Sequence, residues 1–113
     1  MASGVSTIIF PAADLAGSTR LFRALLGVEP VMEESYYVGF RVDGQDIGLD
    51  PRGSVGTGPI SYWEVDDIEK SRQQLLDAGA NERQPIHDVG GGKLIAVFSD
   101  PSGNAIGLSK SPW

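Results

Sequence analysis

The residues with the greatest chemical capacity in this chain are few. One histidine, His87, stands beside Asp88, carboxylates recur at Asp46, Asp50 and Glu64, and Arg41 lies in the same stretch as the first two. A histidine next to an aspartate has the makings of a base or a metal ligand. Neighbouring strand residues point to opposite faces, however, so His87 reads as a surface or rim residue. Asp46 and Asp50 share one strand side, as do Ile60, Tyr62 and Glu64. Three carboxylates are suitable chemistry for a hard cation such as Mg²⁺ or Ca²⁺, although Asp46 and Asp50 each alone read as solvated strand-end residues. Glu64, flanked by apolar and aromatic residues, is expected to have a raised pKa and is the candidate general base. Gly90-Gly91-Gly92-Lys93 resembles a phosphate loop only superficially, because it leads into a strand, and it reads as a hairpin turn. Ser99, His87 and Asp100 make no triad by spacing alone.

These residues need elements to position them. Ser6 to Phe10 is a β-branched and aromatic run closed by Pro11, which predicts a strand. Asp14 stands where an N-cap belongs, Leu15, Leu21, Phe22, Leu25 and Leu26 recur at helical spacing, and Gly27 ends the helix. Tyr36 to Val42 alternates, and Asp43-Gly44 turns it into a second strand, Asp46 to Leu49. Pro51, Gly53, Gly56, Gly58 and Pro59 mark a connection. The order then begins again. Ile60 to Val65 predicts a strand, and Asp66 with Glu69 predicts a capping box. Ile68, Leu75, Leu76 and Ala78 continue a helix closed by Gly79. Leu94 to Phe98 and Ala105 to Leu108 are strands joined through the turn Asp100-Pro101-Ser102-Gly103. Asp14 to Gly27 and Asp66 to Gly79 span the same distance, so the two helices are expected to match.

A literal echo reinforces the repetition. Gly44-Gln45-Asp46-Ile47-Gly48-Leu49 and Gly103-Asn104-Ala105-Ile106-Gly107-Leu108 share the pattern Gly-amide-x-Ile-Gly-Leu, and each closes its half of the chain. The expected fold class is α+β, with two βαβββ modules at residues 5–50 and 59–109, each too small to bury a sheet face alone. A doubly wound parallel sheet is disfavoured, because each helix is followed by several closely spaced strands.

Paired modules of this length, a helix opened by Asp-Leu and closed by Leu-Leu-Gly-Val, and the terminal Asp-Pro-Ser-Gly-Asn resemble the vicinal oxygen chelate superfamily. That group contains glyoxalase I, bleomycin-resistance proteins and extradiol dioxygenases. The resemblance runs from Val5 to Leu108. It implies one domain over residues 1–113, with a curled mixed sheet around a cleft, and a homodimer. The fold hosts isomerases, dioxygenases and plain drug binders, so it does not by itself settle the activity.

The resemblance also implies four metal-ligand positions, one on the first and one on the last strand of each module. Here they are Thr7, Gly48, Ile60 and Gly107. They offer no imidazole or carboxylate, so no metal cofactor is expected at the family's usual site. If these four positions face the cleft, strand parity turns Ile9, Asp46, Asp50, Tyr62 and Glu64 there with Thr7, Gly48, Ile60 and Gly107, and the alternation of Val38, Phe40 and Val42 into the core turns Tyr37, Gly39 and Arg41 the same way. Glycines there either admit close approach by a ligand or another backbone, or accommodate sheet curvature. Aromatic walls with a net acidic lining describe a small-molecule pocket for an aromatic or cationic ligand. Two functions follow: a metal-free binder that sequesters or carries such a ligand, or an isomerase, lyase or dioxygenase-like enzyme using Glu64 or a non-standard metal site.

Composition limits the partners. Nine basic against 15 acidic residues give a net charge of −6, and the basic residues are scattered, which argues against nucleic acid. The absence of cysteine removes disulfides, thiolate metal sites and cysteine nucleophiles. No apolar run approaches the roughly 20 residues of a membrane span, and the first residues lack the features of a signal peptide. A cytoplasmic protein with no membrane partner is expected.

Overall fold

A computed structural model describes Ala2 and residues 4–53 and 58–112, so Gly56 of the expected connection lies outside the described residues. The chain divides into two compact units, Ser6–Ile60 and Ser61–Trp113, the second including Met1–Val5. The first module contains β1 (Val5–Pro11), α1 (Leu15–Leu26), β2 (Met32–Glu34), β3 (Tyr37–Val42) and β4 (Gln45–Asp50). The second contains β5 (Ile60–Glu64), α2 (Ile68–Asp77), β6 (Asn81–Asp88), β7 (Leu94–Ser99) and β8 (Ala105–Lys110). The expected α+β class and the repeated βαβββ order are both present.

Each module forms the same four-strand arrangement. In the first the order is β2-β3-β4-β1, with β1 parallel to β4 and the other pairs antiparallel. In the second the order is β5-β8-β7-β6, with β5 parallel to β8. The echoed hexapeptides fall on β4 and β8, the central closing strands. Asp43 and Gly44 both have positive φ, at 51° and 78°, the conformation a two-residue type I′ hairpin demands.

Alternation along β3 buries Val38 and Phe40 against α1 with Ala12 and Leu49, while Phe10, Leu15, Phe22 and Leu26 pack around them. The Phe22 ring lies 5.1 Å from Phe10 and 6.5 Å from Phe40, centroid to centroid. In the second module Val65, Ile68, Ala96, Phe98 and Leu108 form the equivalent core. Leu21 and Leu25, at core-compatible spacing in the sequence, are instead 62% and 69% exposed. They form their own i, i+4 stripe beside the one that faces the sheet.

The helix ends correct one expectation. In α1 the Asp14 carboxylate accepts the Gly17 N–H at 2.9 Å, and Gly27 at φ 71° donates to Arg23 O. In α2 the cap is Asp67, not Asp66: its carboxylate accepts the Lys70 N–H at 3.1 Å. Gly79 does end α2, through Gly79 N–H to Leu76 O and Ala80 N–H to Leu75 O. The two helices therefore differ, with 12 residues in α1 and 10 in α2. Strands β2 and β6 carry no clear sequence signal. The first has three exposed residues, and the second is interrupted by register shifts between Glu82 and Gln84 and between Gln84 and His87.

Candidate functional site

On the first module, register assembles the sheet face opposite α1 row by row. Thr7 and Arg41 both pair with Asp46, and Ile9 and Gly39 both pair with Gly48. Thr7 and Ile9 are half-buried. The Arg41 Nε donates to Asp46 Oδ1 at 2.7 Å, so the pair largely neutralises itself. Asp50 turns one carboxylate oxygen to the Arg52 N–H at 2.9 Å.

Tyr37 dominates this face. A Cβ built on Gly48 would collide with the Tyr37 hydroxyl and stand 2.7 Å from Cζ and 2.9 Å from Cε1, while one on Gly39 would stand 3.3 Å from Cε2. The ring therefore lies flat across the paired glycines. Burial raises the pKa of its phenol, and the charges of Asp46 and Asp50 raise it further. The group is a protonated hydrogen-bond donor at neutral pH.

The second module makes a parallel but distinct arrangement. Tyr62 and Gly107 are partners across parallel strands, and so are Glu64 and Ser109. A Cβ on Gly107 would collide with Tyr62 Cδ1 and approach Cε1 at 2.6 Å and Cγ at 2.8 Å. Tyr62 is buried, at 8% exposure. The glycines at 48 and 107 thus do not open space for a ligand. Each is covered by a tyrosine of its own module.

Glu64 is occupied by structure. Its Oε2 accepts the Ser109 hydroxyl at 2.9 Å, and Oε1 accepts the Ser111 N–H at 2.7 Å. Burial would raise its pKa, but the hydrogen bonds from Ser111 and Ser109 and the charge of Lys93 outweigh it, leaving the carboxyl below its ordinary value. The expected raised pKa is therefore reversed. Periodicity could not reveal this, because the donors lie 45 and 47 residues away. Ile60 is half-buried on the same strand.

His87 is exposed, with Nδ1 2.8 Å from Pro85 O, and Asp88 accepts the Gly90 N–H at 2.6 Å. The pair is not a dyad. Gly90 to Lys93 form the hairpin turn between β6 and β7, closed by Val89 N–H to Lys93 O at 2.9 Å. A groove of about 540 Å³ lies elsewhere on the first module, lined by Leu15, Thr19, Arg20, Arg23, Glu33 and Val38 among others. Strand alternation places it on the helix side of β3, the face away from Tyr37, and the sequence reading missed it. Arg23 there pairs with Glu29 at 2.9 Å and with Glu33 at 3.7 Å.

The metal implied by the resemblance does not fit the residues present. Thr7, Gly48, Ile60 and Gly107 supply no imidazole or carboxylate, and the volume beside the two glycines holds tyrosine rings. Among the described residues, no group of three His, Cys, Asp or Glu side chains is placed to hold a metal ion. Of the three carboxylates, Asp46 is taken by Arg41, Asp50 by its own turn and Glu64 by Ser109 and Ser111. No described helix is long and apolar enough to cross a membrane.

Comparison with known proteins agrees with this architecture. The Glyoxalase/Bleomycin resistance protein/Dioxygenase superfamily profile matches residues 4–108. A superfamily member from Vibrio splendidus is 20% identical, with TM-score 0.73 over 93% of this chain and 97% of that one. A methylmalonyl-CoA epimerase from Mycobacterium tuberculosis is 17% identical, with TM-score 0.70 over 96% and 88%. One from Streptomyces coelicolor is 14% identical, with TM-score 0.76 over 98% and 96%. At these identities the likeness is one of fold. No curated protein matches by sequence.

Proposed function

We propose that this chain, which belongs to the Glyoxalase/Bleomycin resistance protein/Dioxygenase superfamily, binds a small aromatic or cationic molecule without a divalent metal. One observation carries the reading. The Tyr37 ring lies flat over Gly39 and Gly48, with Asp46 and Asp50 close enough to act on its phenol. An aromatic surface bordered by a carboxylate suits a planar cation, which gains stacking on the ring and attraction from Asp50, the charge of Asp46 being met by Arg41. Thr7, Ile9 and Arg41 complete that surface. On the second module Gly107 lies under the buried Tyr62 ring and Glu64 is held by Ser109 and Ser111, so the proposed contact surface is that of the first module.

The enzymatic reading has less support. A carboxylate held by two serines, with its pKa lowered, is a weak base. The test is calorimetric titration with a panel of planar cations against the wild type, Tyr37→Ala and Asp50→Asn. Loss of stacking, roughly 0.5–1.5 kcal/mol, predicts about 2- to 13-fold weaker binding for Tyr37→Ala. A tight ligand whose affinity neither substitution changes would sink the assignment.

A further inference from the structure

We infer that positions 48 and 107, two of the four metal-ligand positions implied by the family, are closed to ligating side chains by tyrosines, one displaceable and the other fixed. At position 107 the atoms in the way include Tyr62 Cγ, Cδ1 and Cε1. Cγ is attached directly to the tyrosine Cβ, so it cannot clear the site without a change of rotamer. The residue is buried, and a packed interior leaves no second place for the ring. Any side chain at 107 must therefore distort the β5–β8 pairing or expel Tyr62.

At position 48 the obstacle is the far end of a side chain: the hydroxyl, Cζ and Cε1 of Tyr37. Tyr37 is only half-buried, and a rotation toward solvent moves all three atoms away. The same echoed glycine thus has opposite mechanical consequences in the two modules. Neither glycine has positive φ, so alanine meets no backbone strain and reports the ring contact alone. The inference goes beyond ligand binding: Tyr62 shuts a side chain out of position 107 whatever the other three positions carry.

Thermal unfolding of two double-mutant cycles tests it, one with Gly107→Ala and Tyr62→Ala, the other with Gly48→Ala and Tyr37→Ala. Gly107→Ala is expected to lower Tm by roughly 5–15 °C, most of it absent in the Tyr62→Ala background. Gly48→Ala is expected to shift Tm by less than about 4 °C. If Tyr62→Ala does not fold, the contrast between the two glycine variants still decides, and equal losses overturn the inference. The cycles use no organic ligand, so failure here is separate from failure of the proposed binding function.

Discussion

Tyr62 and Gly107 face each other across the parallel strands β5 and β8, and the ring of one fills the space where a Cβ of the other would lie. The contact is both packing and exclusion. It fills the sheet face of the second module and forbids a side chain there.

The ring should therefore carry much of that module's stability. Removing a large buried aromatic costs about 3–5 kcal/mol, a large fraction of what a small domain has. Tyr62→Ala is expected to show a correspondingly lower denaturation midpoint, while Tyr62→Phe, which keeps the ring, loses far less. Urea unfolding followed by tryptophan fluorescence measures both.

Glu64 should make stability depend on pH at the acid end. Its folded pKa lies below the ordinary value, so its contribution is fully present above the unfolded pKa of about 4.3 and disappears as pH falls through the folded one. Glu64→Gln keeps an acceptor for one serine but carries no charge. The stability gap between wild type and Glu64→Gln should be widest near neutrality and close in acid. A gap that stays constant from pH 7 to pH 3 would contradict the hydrogen-bonded carboxylate.

The two helix caps are separable by mutation. Asp14→Ala and Asp67→Ala should each cost about 1 kcal/mol, within the usual 0.5–2 kcal/mol range for a lost N-cap. Asp66→Ala should be nearly neutral. Equal losses at Asp66 and Asp67 would mean that the helix start is shared between them.

Self-association is a further proposal. The outer stripe of α1 leaves Leu21 and Leu25 exposed, with Val28 and Val31 following, and an apolar surface of this kind favours a symmetric partner. Light scattering should give a particle of twice the chain mass. Leu25→Asp should reduce it to one chain if this stripe is the interface, and leave it unchanged if another surface is used.

Much of the architecture was legible because its signals are local. Asp14 and Gly27 bound α1 through contacts within one turn, and Asp43-Gly44 adopts positive φ where two residues must reverse a chain. Period-two alternation placed Val38 and Phe40 on the buried side and Tyr37 on the other, since a strand has only two faces. The one-residue slip from Asp66 to Asp67 arose because adjacent aspartates offer the same side chain, and backbone geometry chooses between them.

The residue pattern alone settled the repeated strand–helix–strands order and the echoed closing strands. Side-chain direction within a face was left to folding. Parity put Tyr37 above its sheet but did not say that the ring lies down over Gly39 and Gly48, because that depends on a torsion and on what the neighbouring strand lacks. The use of Glu64 was equally hidden, for Ser109 and Ser111 reach it only once β5 and β8 are paired. Local preferences act over a few residues. The chemistry of a site depends on which distant residues the register brings alongside.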